Sequence, residues 1–252
     1  MKITTHTSAK NSLLKIKDLI LHFDKKGKML SDGSRNQIKI FKLEGKPVAI
    51  KAFGVPNLIN RFAYKYLRRS KAQRSFDFAQ ELLNRGIGTP HPIAYAIQDG
   101  GVLFGKSYYV SNHLEADLTY RTLVKDPDYP EWEEILKAFT RFTFEMHEKG
   151  IHFLDHSPGN TLIVKNGANY DFYLVDLNRM EFKTMDFETR MKNFNRLTPH
   201  RHMVHIMAKE YARLGNYDPV NTEKFMWQET QNFQERFRKK RALKKKLKFW
   251  KN

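Results

Sequence analysis

Apolar and polar residues alternate in the first half of the chain, as is typical of β-strands. Ile38 and Ile40 alternate with the polar residues Gln37 and Lys39, and a turn with Gly45 and Pro47 leads into a second apolar run. Two further apolar runs are separated by a turn at 99–101. The predicted strands are residues 35–43, 48–53, 93–97 and 102–111.

Helical periodicity dominates the second half of the chain. An amphipathic pattern begins after Pro130 and ends at Gly150, and residues 11–23 fit either a helix or a strand. Hydrophobic segments at 161–164 and 172–175 flank the turn Asn166-Gly167. Further helices are predicted at residues 70–84, 185–215 and 220–240. A strand-rich half followed by a helix-rich half predicts an α+β protein with two lobes.

Composition indicates a folded protein with a strongly basic surface. The 252 residues are 40% hydrophobic and 13% aromatic, a richer content than disordered chains have. Cysteine is absent, which excludes thiolate chemistry and fits a reducing compartment. We find neither a secretory signal pattern nor 18 consecutive apolar residues, so we expect no transmembrane span.

The net charge of +18 is concentrated in two places. Ten Lys or Arg residues and no acidic residue lie between Arg236 and Asn252, and a second basic stretch runs from Arg61 to Arg74. Such charge attracts phosphate-bearing partners, namely nucleic acid, anionic lipid or a phosphorylated glycan. Three nearby histidines, His200, His202 and His205, lack the ligand spacing of a zinc site.

Three motifs could carry phosphoryl transfer. Lys51 ends a strand, and a lysine there can pair with phosphates, although most such lysines are solvated surface charges. Asp155 and Asn160 match the pattern Asp-x-x-x-x-Asn, in which a carboxylate orients an acceptor hydroxyl and an amide binds metal; an ordinary turn has the same composition. Asp176 follows an apolar strand, where magnesium binding or a turn would explain it.

The order and spacing of these motifs resemble the lipopolysaccharide (Kdo) kinase family of the protein-kinase-like superfamily. The resemblance covers about residues 30–215 and includes the segments 56–60, 70–75 and 86–92. It implies a kinase-like N-lobe over residues 1–112, a C-lobe with the catalytic loop over 113–235, and a basic C-terminal helix or tail over 236–252.

The resemblance also implies roles for individual residues. Asp155 would be the catalytic base, and Asn160 and Asp176 would bind Mg²⁺. Lys51 would contact the phosphates of ATP and be held by Asp77, with Glu81 as the alternative. The remaining nucleotide contacts would come from Gly33, Ser34 and Arg35 in the phosphate loop and from the hinge 111–114, with Ser111 and His113.

The sequence departs from the superfamily pattern at several points. The phosphate loop has one glycine, Phe153 replaces a frequent histidine, and the metal-binding strand ends Asp176-Leu177-Asn178. No Ala-Pro-Glu segment follows, which disfavours a peptide substrate. The predicted metal ligands and the phosphate lysine are nevertheless all present, which favours an active enzyme.

The resemblance implies transfer of the γ-phosphate of ATP to a sugar hydroxyl of the lipopolysaccharide inner core, with Kdo on lipid A as acceptor. We expect a cytoplasmic enzyme that docks peripherally on the inner membrane through its basic tail, and we expect no nucleic acid partner. The alternatives are a kinase-like enzyme acting on a protein or small soluble substrate, and a catalytically silent, polyanion-binding module.

Overall fold

The computed structural model describes residues 1–33, 36–54, 69–100 and 103–249. The chain forms two compact units. The first unit contains Met1–Glu115 and Tyr173–Arg179, and the second contains Ala116–Phe172 and Met180–Asn252. Among the described residues, no helix combines the length and apolar character that crossing a membrane requires.

The first unit is built on a six-stranded sheet of order β1-β5-β6-β4-β3-β2. Its strands are β1 (Lys2–Thr5), β2 (Lys28–Gly33), β3 (Asn36–Leu43), β4 (Lys46–Phe53), β5 (Pro92–Gly100) and β6 (Leu103–Asn112). Its helices are a 3-10 turn (Thr7–Ser12), α1 (Leu13–Leu21) and α2 (Lys71–Asn84). The ambiguous segment 11–23 is therefore mainly helical.

The two faces of this sheet are covered by different helices. Val48, Ile50 and Ala52 alternate along β4 and pack in one core with residues of α1. On the opposite face, Phe53 packs with Ala72 and Phe76 of α2. Lys51 belongs to that second face by the same alternation. Its neighbours on adjacent strands are Ile38 and Tyr109, so it lies inside the sheet rather than at an edge.

Local sequence signals set the ends of α2. The Ser70 hydroxyl accepts a hydrogen bond from the Gln73 amide at 3.0 Å, an N-cap that stabilises a helix by about 1 kcal/mol. Gly86, the predicted stop, has a φ of +68° and follows the last turn. The Ile87 amide then donates to the Leu82 carbonyl at 2.9 Å, which satisfies one of the terminal carbonyl groups.

The second unit is mainly helical and carries two small sheets. Its strands are β7 (Leu118–Thr119), β8 (Ile151–Phe153), β9 (Thr161–Asn166), β10 (Asn169–Leu174, whose last two residues belong to the first unit) and β11 (Met180–Phe182). Its helices are α3 (Tyr120–Lys125), α4 (Trp132–Glu148), α5 (Phe187–Asn193), α6 (Arg201–Gly215) and α7 (Pro219–Phe249). The sheet orders are β10-β9-β7 and β11-β8.

Aromatic and aliphatic side chains of α4, α6 and the start of α7 form the core of this unit. Phe139, Tyr211 and Met226 are fully buried there. The predicted helical region 185–215 contains two helices, α5 and α6, with a break between them. The last helix continues to Phe249, so the basic tail is helical as far as the structure describes it.

Candidate active site

The predicted phosphate lysine and the predicted metal aspartate form an ion pair in the first unit. Lys51 Nζ lies 2.6 Å from Asp176 Oδ1, although the two residues are 125 positions apart in the chain. The lysine side chain is 12% exposed and the aspartate side chain 31% exposed. The Lys51 ammonium also lies 5.3 Å from the centre of the Phe53 ring.

Backbone hydrogen bonds hold the Asp176 segment on the first unit. The Leu174 amide donates to the Gly88 carbonyl at 2.8 Å, and the Thr89 hydroxyl donates to the Leu174 carbonyl at 2.8 Å. Leu177, only 2% exposed, anchors the next position. Asp176 itself has a φ of +59°, a left-handed conformation that persists in proteins where the surroundings enforce it.

Asn178 completes this cluster. Its side-chain amide donates to Asp176 Oδ1 at 2.6 Å, so two N–H donors converge on one carboxylate oxygen. The second oxygen, Oδ2, is the atom that remains for a cation. Sequence reasoning noted Asn178 only as a departure from a family motif. Its role as a partner of Asp176 follows from the sharp turn at Asp176.

The two acids predicted to hold Lys51 have other partners. Asp77 pairs with Arg69 at 3.2 Å, and Glu81 pairs with Arg85 at 2.7 Å along α2. Partial burial raises the pKa of Asp77, and Arg69 opposes that rise. In the ranges that the structure describes, no ion pair joins Lys51 to either acid. The structure brings Lys51 to Asp176 instead.

The predicted nucleotide contacts lie at strand ends of the first unit. Gly33 ends β2 opposite Asn36, whereas Ser34 and Arg35 lie outside the described residues. Ser111 is buried in β6, beside Ala49 of β4.

In the hinge, the amide of His113 donates to the Pro47 carbonyl at 3.1 Å. That amide is therefore committed to the backbone. The next amide, that of Leu114, donates to no acceptor within the described part of the chain and is the better candidate for an adenine contact.

The predicted catalytic loop lies between β8 and β9 in the second unit. The Asn160 side-chain amide donates to the Asp155 carbonyl at 2.8 Å, which ties the two ends of the loop together. This bond commits the amide nitrogen and leaves the amide oxygen of Asn160 for a cation. His156 is 1% exposed and packs against the rings of Phe139 and Phe153.

An arginine that sequence reasoning missed holds the predicted catalytic base. Arg196 Nη1 lies 2.6 Å from Asp155 Oδ1 and 3.3 Å from the Leu154 carbonyl. The guanidinium also lies 5.6 Å from the centre of the Phe233 ring on α7. Asp155 Oδ2 is thereby the oxygen that can accept a hydroxyl proton. No local pattern marks Arg196, because it follows α5 in a segment without a motif.

A buried polar network fixes the backbone that leads into this loop. The Asn193 amide donates to the Phe153 carbonyl at 2.9 Å, and its oxygen lies 3.1 Å from His147 Nε2. His147 Nδ1 lies 2.8 Å from the Tyr211 hydroxyl. Burial lowers the pKa of His147 to about 3, and burial likewise lowers the pKa of His156 to about 3. Both rings are therefore neutral near pH 7.

The donor sets fit a hard divalent cation. Magnesium prefers carboxylate and amide oxygens, which Asp176 and Asn160 provide. In the described residues, no group of three or more His, Cys, Asp or Glu side chains is arranged to hold a metal ion. A cation held by either residue would need further oxygens, which Mg²⁺ in phosphotransferases usually takes from a phosphate-bearing substrate and from water.

Two solved structures are similar to this chain. WaaP in complex with acyl carrier protein is 14% identical, with a TM-score of 0.62 over 92% of this chain and 99% of that chain. A MAP kinase from Leishmania major is 15% identical, with a TM-score of 0.46 over 84% of this chain and 66% of that chain. No curated protein matches the sequence. The similarity to WaaP confirms the predicted fold class.

Comparison with family models gives the stronger result. The model of the Lipopolysaccharide kinase (Kdo/WaaP) family matches residues 55–218, well over half of the chain. The predicted resemblance and the predicted enzyme class are thereby confirmed. This protein belongs to the Lipopolysaccharide kinase (Kdo/WaaP) family and is a phosphotransferase that acts on a hydroxyl group.

Proposed function

We propose that this protein transfers the γ-phosphate of ATP to a sugar hydroxyl of the lipopolysaccharide inner core, with Kdo on lipid A as the acceptor. The observation that best supports ATP as the phosphate donor is the 2.6 Å ion pair between Lys51 and Asp176. When this ion pair separates, the Lys51 ammonium can bind a phosphate and the Asp176 carboxylate can bind a metal ion. Family membership supports the lipopolysaccharide acceptor.

On the nucleotide side, Lys51 binds the phosphates of ATP, and the hinge around Ser111, His113 and Leu114 meets adenine. Asp176 and Asn160 would hold Mg²⁺. When bound, that ion would neutralise negative charge on the triphosphate. Asn178 keeps the Asp176 carboxylate oriented through its 2.6 Å hydrogen bond. Gly33, Ser34 and Arg35 are proposed to cover the phosphates.

On the acceptor side, Asp155 orients the sugar hydroxyl and takes its proton. The hydroxyl oxygen then forms a bond to the γ-phosphorus as the bond to the β,γ-bridging oxygen breaks, and ADP leaves. Arg196 fixes Asp155 Oδ1, so that Oδ2 faces the incoming hydroxyl. Positioning of this kind, together with charge stabilisation, accounts for most of the catalysis of phosphoryl transfer.

The decisive experiment is transfer of label from γ-labelled ATP with Mg²⁺, offering Kdo–lipid A beside a mixture of proteins. We expect label on the glycolipid, and we expect Asp176→Ala to abolish it. Asp171→Ala, which removes a half-buried aspartate on β10, is the matched control. Label on protein alone would overturn the proposed acceptor. Absence of both label and ATP binding would overturn the proposed activity in favour of a silent, polyanion-binding module.

We also propose that the C-terminal part of α7 docks on an anionic membrane surface, where the glycolipid acceptor resides. Phe237 and Leu243 are 51% and 59% exposed among the basic residues of this helix. Each basic residue near an anionic surface contributes about 1 kcal/mol. A basic helical segment with exposed apolar side chains suits such a surface.

Sedimentation with vesicles containing anionic lipid would test this docking. The variant Lys240→Gln/Arg241→Gln/Lys244→Gln should bind less tightly by about 3 kcal/mol in low salt. Lys25→Gln/Lys26→Gln/Lys28→Gln in the first unit removes the same charge and should have a smaller effect. Equal losses in the two variants would assign binding to the net charge of the protein rather than to α7.

A further inference from the structure

Arg121 on α3 lies directly against the candidate catalytic loop. A Cβ atom built at Gly159 would be 2.5 Å from Arg121 Nη2 and 3.4 Å from Cζ. Real Cβ atoms do not approach other atoms this closely, so any side chain at position 159 would displace the guanidinium. Backbone conformation does not require a glycine at this position, because Gly159 is not among the described glycines with a positive φ. The absence of a side chain at Gly159 thus leaves the space that the Arg121 guanidinium occupies.

Arg121 differs from the other arginine on this loop in its partners. Arg196 is committed to Asp155 Oδ1 at 2.6 Å. Arg121 is an exposed side chain and makes no ion pair or hydrogen bond with the residues that the structure describes. Two guanidinium groups thus lie against the candidate catalytic loop. That of Arg196 holds Asp155, and that of Arg121 has N–H donors available for a ligand.

The acidic residues that flank α3 in the sequence form no ion pair with Arg121 in the described part of the chain, and each accepts a backbone amide. Asp117, which precedes β7, accepts the Lys165 amide at 2.8 Å. Asp126, which follows α3, accepts the Asp128 amide at 3.2 Å. The remaining charged side chain of α3 is Lys125, which is also basic. The Arg121 guanidinium beside Gly159 therefore has no carboxylate partner among the described residues, and the acid of the loop itself is paired with Arg196.

We propose that Arg121 binds an anionic group of the acceptor glycolipid, a carboxylate or a phosphate, next to the hydroxyl that Asp155 orients. A guanidinium presents a planar set of N–H donors that matches both oxyanions. Arg121 thus determines which acceptors the enzyme accepts, and it acts by binding rather than in the chemical step. This inference rests on the proposed function for the identity of the acceptor.

Direct binding of the acceptor, measured without nucleotide, tests the inference. Calorimetric titration would use nonionic detergent micelles that carry Kdo–lipid A. We expect Arg121→Met to weaken binding by about tenfold, the value of one charge-assisted hydrogen-bonded contact. Lys125→Met removes the same charge one turn along α3 and should change binding by less than about twofold. Equal effects of the two variants would overturn the proposal.

A double-mutant cycle with Gly159 separates this role from a general effect on the loop. Gly159→Ala should weaken acceptor binding as Arg121→Met does, because the new Cβ displaces the guanidinium. In the Arg121→Met background, Gly159→Ala should weaken binding no further. Effects of the two substitutions that multiply would contradict the proposed contact.

Chemically altered acceptors identify the anionic group. Micelles carrying carboxyl-methylated Kdo–lipid A or dephosphorylated Kdo–lipid A should abolish the difference between wild type and Arg121→Met in one of the two cases. A difference that survives both modifications would overturn the proposal.

The kinetic constants provide an independent test. In transfer assays, Arg121→Met should raise the KM for the glycolipid and leave the KM for ATP unchanged. A raised KM for ATP would assign Arg121 to the nucleotide and refute the acceptor site. Binding of glycolipid that depends on Arg121 without any phosphate transfer would instead refute the proposed function and retain the site.

Discussion

The two carboxylates proposed for phosphoryl transfer are held in different ways in the two units. In the first unit, Asp176 pairs with Lys51, which is itself proposed to leave for a phosphate. In the second unit, Asp155 pairs with Arg196, for which no substrate role is proposed and whose guanidinium also lies 5.6 Å from the Phe233 ring. We therefore propose that the first pair is exchanged for substrate and metal, whereas the second remains in place throughout the reaction.

This difference matches the tasks that we propose for the two residues. A metal-binding carboxylate such as Asp176 needs a compensating positive charge when its cation is absent. Lys51 supplies that charge and can turn to a phosphate when the cation binds. A base that orients a hydroxyl must keep one geometry throughout, and a guanidinium with several fixed contacts provides it. The comparison predicts that substitutions of the two basic partners have different kinetic signatures.

The largest expected effect is that of Asp155→Asn, which should lower kcat about 10³-fold and leave ATP binding intact. The amide retains the size of the side chain but cannot take the proton. Single-turnover transfer to Kdo–lipid A and nucleotide titration would measure the two quantities. A variant with wild-type activity would contradict the role of Asp155 and indicate a silent module.

Lys51→Met should lower kcat/KM for ATP by about 10²-fold, because the phosphates lose a cation. It also removes the competitor for Asp176, so Mn²⁺ measured by paramagnetic relaxation without nucleotide should bind at least as tightly as in wild type. Weaker Mn²⁺ binding in this variant would show that Lys51 supports the metal site rather than competing with it.

Arg196→Met should lower kcat by about tenfold with an unchanged KM for ATP, because Asp155 loses its orienting partner. Arg196→Lys should recover part of kcat, since it keeps the charge but loses the fork of donors. Arg213→Met, which removes an exposed partner of Glu210, is the matched control. A raised KM for ATP in Arg196→Met would contradict a role confined to the acceptor side.

The smallest expected effect is on the free energy of unfolding at acid pH. This effect should differ between the segment around Asp155 and the segment around Asp176. Burial lowers the pKa of His156 from 6.5 to about 3. The unfolded chain therefore takes up a proton between these values that the folded chain does not. The contribution of this histidine to the free energy of unfolding is therefore complete above pH 6.5. Between pH 6.5 and pH 3 it falls by at most about 1.4 kcal/mol per pH unit.

Urea unfolding at pH 7 and pH 5 would measure this loss. His156→Phe should reduce the loss of stability between the two pH values, because the surrounding rings are aromatic and the new side chain does not titrate. His202→Gln, an exposed histidine of the same unit, is the control. The protection of amides near Asp155 against hydrogen exchange, corrected for the intrinsic effect of pH, should fall at pH 5 more than protection near Asp176. If the free energy of unfolding of His156→Phe fell between pH 7 and pH 5 as much as that of wild type, the stability loss could not be attributed to His156.

Lys39 and Lys51 show how far the sequence pattern could predict the site. Both lysines lie within strands of one hairpin, between apolar residues. Lys39 is 8% exposed, and its ammonium donates to the carbonyls of Phe23 at 2.7 Å, Asp24 at 3.2 Å and Lys26 at 3.3 Å. It supports the turn after α1. The alternation of Ile38 and Ile40 therefore did not identify the buried face of β3, on which Lys39 and Phe41 lie.

The sequence by itself determined the order of the long strands and helices, the stops at Gly86 and Gly150, and the family, whereas it predicted neither the strands β1, β2, β7, β8 and β11 nor the helix α3. These features depend on local periodicity, turn residues and motif spacing. Only the tertiary structure decided which basic residue meets which acid, as with Lys51 and Asp176, Arg196 and Asp155, and the solitary Arg121 beside Gly159. Such partners are distant in the chain, and their choice depends on side-chain packing in three dimensions rather than on any sequence period.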